Sequence, residues 1–236
     1  VPRAVLIIDL GPPLRLRDPD SDAPAVCHPS GFLAATGEHA TLTDHDGRSR
    51  GIEVNLTPIG AHLLLKNAPM SCLAGHTLAL CDIFTGAMRH LGEQLADCED
   101  WDERFDILDH ALCERLARAR PAAPEVRHAL ARITASHGRV DIAGLAAELG
   151  RSQKYLIHHF NHQVGLPPKR FARLFRFDRV VAHLRDNHAG GGGSDGWADL
   201  AARFGYYDQS HLVRDFRQFA GLTPTAARAA LTPWLV

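Results

Sequence analysis

Paired cysteines are missing from this 236-residue chain. Its five thiols (Cys27, Cys72, Cys81, Cys98 and Cys113) are odd in number, widely spaced and without a C-x-x-C. That excludes a disulfide framework or a zinc finger and fits a reducing cytoplasm. Each cysteine is expected to be a small buried core residue rather than a redox sensor. No apolar run approaches the ~18 residues of a transmembrane helix. Val1 to Leu10 lack a basic n-region and a cleavage site, so no signal peptide is expected; the chain opens on Val rather than Met, and further N-terminal sequence is expected. Also missing are a Gly-rich phosphate loop, a nucleophile elbow and a paired Cys/His arrangement. The expectation is a non-enzyme with no cofactor and no membrane partner.

What is present is a soluble mixture, 45% hydrophobic and 22% charged, long enough for two cores. Net charge −1 hides an asymmetry. A short linker, Pro121-Ala122-Ala123-Pro124, separates 11 Lys and Arg against 18 Asp and Glu from 15 against 9. The predicted domains are 1–120 and 121–236, and the basic second one suits a polyanionic partner. Strands are predicted at Ala4–Ile8, Gly31–Gly37 and Arg50–Leu56, with Asp46-Gly47 as a hairpin turn between the last two. From Pro58 the pattern is helical: Ile83, Ala87, Leu91 and Leu95, then Trp101, Phe105, Leu108, Leu112 and Leu116, recur at spacings of three and four. This predicts a small β-sandwich or partial barrel followed by a helical hairpin. His39, Asp44, His45 and Asp46, with Glu53, are the best metal-ligand candidates, but their spacing fits no ligand set and no metal site is assigned.

The second half repeats itself. Leu145-Ala146-Ala147-Glu148-Leu149-Gly150 matches Leu200-Ala201-Ala202-Arg203-Phe204-Gly205, and further on Leu156, Phe160, Gly165, Leu166 and Pro168 match Leu212, Phe216, Gly221, Leu222 and Pro224. Each unit is a helix, a glycine turn and a second helix, the form of a helix-turn-helix. Asp141 is placed as cap of the first helix, and Ser152 and Asp208 as caps of the second helices. Leu156 with Phe160, and Leu212 with Phe216, form buried i, i+4 pairs. The opposite faces then expose Lys154, Ile157, His158 and Asn161, and Ser210, Val213, Arg214 and Arg217. A long helix over Pro167–Asp186 joins the units, a flexible loop over Asn187–Gly196 follows, and Thr223-Pro224 opens a last helix.

These two units, with Gly165-Leu166-Pro167-Pro168, Gly205-Tyr206-Tyr207-Asp208-Gln209-Ser210-His211-Leu212 and Gly221-Leu222-Thr223-Pro224, resemble the AraC family of bacterial transcription regulators over about Pro124 to Leu231. The resemblance implies an α+β chain: a β-rich, cupin-like sensing or dimerisation domain in front, with its helical hairpin, and an all-α double helix-turn-helix domain behind. It implies a cytoplasmic, homodimeric, sequence-specific regulator of double-stranded DNA, with a small-molecule effector at the N-terminal domain. The alternative is a cupin-type metalloenzyme or ligand sensor fused to a DNA-binding module. Donors on the exposed faces can reach base edges in a major groove. The base-reading candidates are Gln153, Lys154, Ile157, His158, Gln209, Ser210, His211, Val213 and Arg214. Arg151, Lys169, Arg170, Arg173 and Arg217 are the phosphate candidates, each weighed against an ordinary solvated charge.

Overall fold

The computed structural model describes residues 2–19, 21–189 and 196–230. Its first half contains two antiparallel sheets. The larger has the order β6-β1-β4-β7, from β1 (Ala4–Asp9), β4 (Gly31–Ala34), β6 (Gly51–Leu56) and β7 (Thr77–Ala79). The smaller has the order β3-β2-β5, from β2 (Arg15–Arg17), β3 (Val26–Cys27) and β5 (Leu42–Asp44). β1 is central because it is apolar on both faces: Ala4, Leu6 and Ile8 are buried on one, Val5 and Ile7 half-buried on the other. It pairs Val5 with Ala34 and Ile8 with Gly31 on one side, and Ala4 with Leu56 and Asp9 with Gly51 on the other. Gly31 is required there, since at φ +113° a Cβ would lie 2.1 Å from the Ile7 carbonyl oxygen.

The expected hairpin between β4 and β6 does not form. β1 lies between them, and Glu53 and Asn55 point to solvent, as suits the edge strand that β6 is. Asp46-Gly47 is a real turn, with Gly47 at φ +82° and Asp46 Oδ1 accepting from the Arg48 amide, but β5 before it belongs to the smaller sheet.

The helices α1 (Pro58–Leu64), α2 (Leu80–Ile83), α3 (Leu91–Asp97) and α4 (Trp101–Ala117) complete this half. Thr57 caps α1, its hydroxyl accepting from the Gly60 amide. The expected stripe over residues 83–95 is cut in two, because Gly86 takes φ +66° and opens a 3-10 turn over Gly86–His90. Ile83, Leu91 and Leu95 still reach the core, alongside Leu6, Ile8, Leu33, Leu64, Leu108 and Leu112. The second stripe splits: Leu108 and Leu112 are buried, but Trp101 and Phe105 are 42% and 47% exposed. Between them Arg104 turns inward and donates to the carbonyls of Leu95, Cys98 and Glu99, which α3 leaves open at its end.

The cysteines are not core residues. Cys27, Cys72, Cys81 and Cys113 are exposed and Cys98 is half-buried. Cys27 belongs to a strand with neither residue covered, and Cys113 sits on α4 beside, not within, the Leu108–Leu112 stripe.

The second half is helical: α5 (Pro124–Ala135), α6 (Ile142–Glu148), α7 (Gln153–Val164), α8 (Pro168–Ala189), α9 (Trp197–Arg203), α10 (Gln209–Ala220) and α11 (Pro224–Ala230). α8 serves two cores. Phe171 and Phe175 pack with Leu156 and Phe160; Phe177, Val180 and Leu184 pack with Leu212 and Phe216. The expected loop over Asn187–Gly196 lies largely outside the described residues; Asn187–Ala189 continue α8. The halves also meet. α1 and the 3-10 turn Met70–Cys72 pack on α7, and Arg170 of α8 pairs with the buried Glu38.

Candidate nucleic-acid interface

The two repeated units form as their caps and small residues dictate. Asp141 accepts from the Ala143 and Gly144 amides at the start of α6. Ser152 accepts from the Tyr155 amide, and Asp208 from the His211 amide, so each second helix begins at a side-chain cap. Gly150 and Gly205 take φ +63° and +76° and end α6 and α9 in the left-handed region. Ala146 and Ala201 are buried, and Leu156, Phe160, Leu212 and Phe216 are wholly buried. Each pair turns one side of its helix inward and the other outward.

On α7 the outward side carries Gln153, Lys154 and His158, all exposed, with Ile157 and Asn161 half-buried. These five line one shallow depression of about 480 Å³. On α10, Gln209, Ser210 and Arg214 are exposed, while His211 and Val213 are half-buried. His211 is less free than its neighbours, its ring lying edge-on to Tyr206 at 5.4 Å. The structure therefore brings the nine base-reading candidates onto two outward faces. Tyr207, 93% exposed just before the α10 cap, stands beside the second face.

The phosphate candidates divide differently. Lys169 and Arg217 are exposed, with no ion pair among the described residues. Arg151 bridges to Glu125 through Nε and Nη2, at 3.0 and 2.8 Å, and lies over the Tyr155 ring. Backbone donation and then Arg151 hold the Glu125 carboxyl below its usual range. Arg170 is taken by Glu38, whose side chain is 2% exposed. Arg173 is no solvated charge: its guanidinium reaches Asp215 Oδ1 at 2.5 Å and Gln218 Oε1 at 3.0 Å, and covers Phe219. It ties the joining helix to α10, a role that leaves its charge largely neutralised.

Asp215 is the residue that periodicity missed. It is wholly buried one position before Phe216, so an apolar reading of that face would skip it. Burial, followed by this neighbouring carboxylate, pushes the Tyr206 phenol far above its ordinary range. The only trace in the sequence is an acid between Arg214 and Phe216. Glu38 leaves no trace, because its partner lies 132 positions away.

The metal candidates do not converge. Asp44 pairs with Arg15, the His45 ring accepts from the Gly47 amide, and Asp46 pairs with Arg48. Among the described residues no three His, Cys, Asp or Glu side chains form a metal-binding group, and no helix is long and apolar enough to cross a membrane.

Residues 145–230 match the model of a helix-turn-helix domain. No curated protein matches the chain. Among solved structures, ToxT from Vibrio cholerae is 10% identical, with a TM-score of 0.56 over 98% of this chain and 91% of that one. ToxT of V. cholerae strain SCE256 with a bound unsaturated fatty acid is 12% identical, with a TM-score of 0.52 over 97% and 87%. A transcriptional regulator with an AraC-type DNA-binding domain from Chromobacterium violaceum is 19% identical, covering 47% of this chain and 95% of that one at a TM-score of 0.41. The arrangement of N-terminal sheets and C-terminal helices is thus that of ToxT along the whole chain.

Proposed function

We propose that this chain is an AraC-type DNA-binding transcription regulator whose helix-turn-helix domain at 145–230 sets α7 and α10 into successive major grooves on one face of a duplex. The observation that carries this reading is the pair of capped helices presenting polar outer faces from one joining helix. α8, of 22 residues, packs against both units through Phe171 and Phe175 on one side and Phe177, Val180 and Leu184 on the other, which fixes α7 and α10 relative to each other. Arg214 spans the N7 and O6 acceptors of a guanine, which a guanidinium fork fits and an ammonium does not. Gln153 and Gln209 pair with adenine or bind phosphate, His158 and His211 donate to either purine, and Ile157 and Val213 meet thymine methyls. Lys169 and Arg217 hold phosphates, as does Arg151 when it exchanges Glu125 for the backbone. Full-chain affinity for a duplex measured over a salt series tests this: log K falling linearly with log salt supports it, and no salt-sensitive affinity for any duplex refutes it.

Residues 121–236 are the DNA-binding domain and 1–120 the sensing and dimerising one, with a small molecule as effector. Support for a small-molecule effector comes from the fatty acid held by a ToxT of the same fold. Support for a homodimer comes from Trp101 and Phe105, whose rings lie 5.9 Å apart and exposed on α4. Two joined modules also gain affinity without new contacts. Sedimentation of a monomer at tens of micromolar, with and without DNA, would end the dimer reading.

A further inference from the structure

The seam between the halves holds a cleft of about 770 Å³, bounded by the end of α1, the 120–124 linker, α5 and α7. That volume falls within the range of ~300–1,000 Å³ used for small-molecule sites. Its lining carries Arg120 from the linker, Arg127 from α5, and the imidazoles of His62 from α1 and His158, His159 and His162 from α7. One carboxylate, Glu125, reaches it, and that one is already bridged by Arg151. Arg132 of α5 likewise holds Glu148. By contrast, the guanidinium groups of Arg120 and Arg127 have no acceptor among the described residues.

The walls are tied together by neutral hydrogen bonds. Asn67 donates to the Arg120 carbonyl at 2.8 Å and accepts from its amide at 3.1 Å, and Gln163 of α7 accepts from the Ala123 amide at 3.0 Å. His62 is spanned on both nitrogens, Nδ1 donating to the Ala68 carbonyl and Nε2 accepting from the Asn67 amide. Burial, opposed by the Ala68 bond, holds the His62 pKa below its ordinary value, and the ring lies 6.0 Å and edge-on from that of His162. A site built this way has unpaired positive charge, fixed donors and room for more than one acidic group.

We propose that this cleft binds a small polyanion, a metabolite bearing two or more phosphate or carboxylate groups, and that its occupation weakens DNA binding through α7. Arg120 and Arg127 supply the permanent charge, and the rings of His158, His159 and His162 supply N–H donors to the anion. The bound anion lies against His158, on the edge of the α7 outer face, and sets negative charge beside the path of the DNA backbone. The binding step is independent of the DNA reading; the coupling rests on α7 being a reading helix.

Calorimetry of the full chain without DNA tests the site, with pyrophosphate and citrate as probes and sodium chloride matching ionic strength. The expected result is one saturable site per chain, weakened about fivefold or more in Arg127→Gln, as loss of a charge-assisted bond requires. His162→Gln is expected to weaken it less, about twofold or more, as loss of one ring hydrogen bond requires. No saturable binding, or variants that bind both probes as the parent does, overturns the site. Saturating pyrophosphate is expected to weaken DNA binding about threefold or more; unchanged DNA affinity with pyrophosphate bound overturns the coupling. Were the cleft a seat for duplex phosphates instead, Arg127→Gln would weaken binding to all DNA alike while no free anion bound, and the proposal would fail.

Discussion

Asp215→Ala is the sharpest perturbation of the way α10 is held. The carboxylate is wholly buried, with Oδ1 taken by Arg173 and Oδ2 without a partner. Losing one charge-assisted hydrogen bond costs about 1.5–3 kcal/mol, and breaking a fully buried ion pair costs about 3–5 kcal/mol. Three features place this site toward the lower figures. The Arg173 side chain is 26% exposed, it keeps Gln218 as an acceptor, and the unpartnered Oδ2 is removed with the rest. We expect a loss of about 2–3 kcal/mol, within the bracket those values set. For a domain of roughly 100 residues that lowers Tm by about 8–24 °C. Urea unfolding by circular dichroism gives the free energy, and Trp197 fluorescence reports locally because its ring lies 6.1 Å from that of Phe216. A loss below about 0.5 kcal/mol, the level of an ordinary surface substitution, would refute the claim that the pair anchors α10 to α8.

Arg214→Ala is expected to cost about 1–3 kcal/mol on the preferred duplex and to relax one base position, whereas Lys169→Ala weakens all duplexes alike and lowers the salt slope by about one; equal losses on specific and random DNA would make Arg214 a phosphate contact. Arg170→Ala strands the buried Glu38 carboxylate and is expected to speed proteolysis at the 121–124 linker, and an unchanged cleavage rate would show that this pair does not hold the seam. A thiol reagent on the native chain is expected to modify Cys27, Cys72, Cys81 and Cys113 quickly and Cys98 slowly, since burial and then the Glu103 bond push the Cys98 thiol up; five equal rates would contradict that.

The repeat made the second half legible. Its offset of 55 to 56 positions aligned the caps, glycines and buried pairs, and all of these are local signals. The outward faces of α7 and α10 follow from them by periodicity alone. The first half was less legible because its features are set by distant partners. Asp46-Gly47 announces a turn, but only the two-sided apolarity of β1 decides that β4 and β6 never meet. A cysteine carries no periodic signal, so its exposure depends on strands as short as β3. The seam is the clearest case. Nothing near Glu38 points to Arg170, and nothing near His62 points to His162, yet these contacts bring the first half against α8 and α7 respectively.

Selection of binding sites from random duplexes by the purified full chain bears most directly on the double-reading arrangement. Two units on one strut predict two enriched sequence blocks centred about 10–10.5 base pairs apart. Arg214→Ala would then degrade one block and leave the other, while substitutions at Gln153 or His158 act on the other block. A single enriched block, insensitive to changes on one of the two helices, would contradict the claim that both α7 and α10 read DNA.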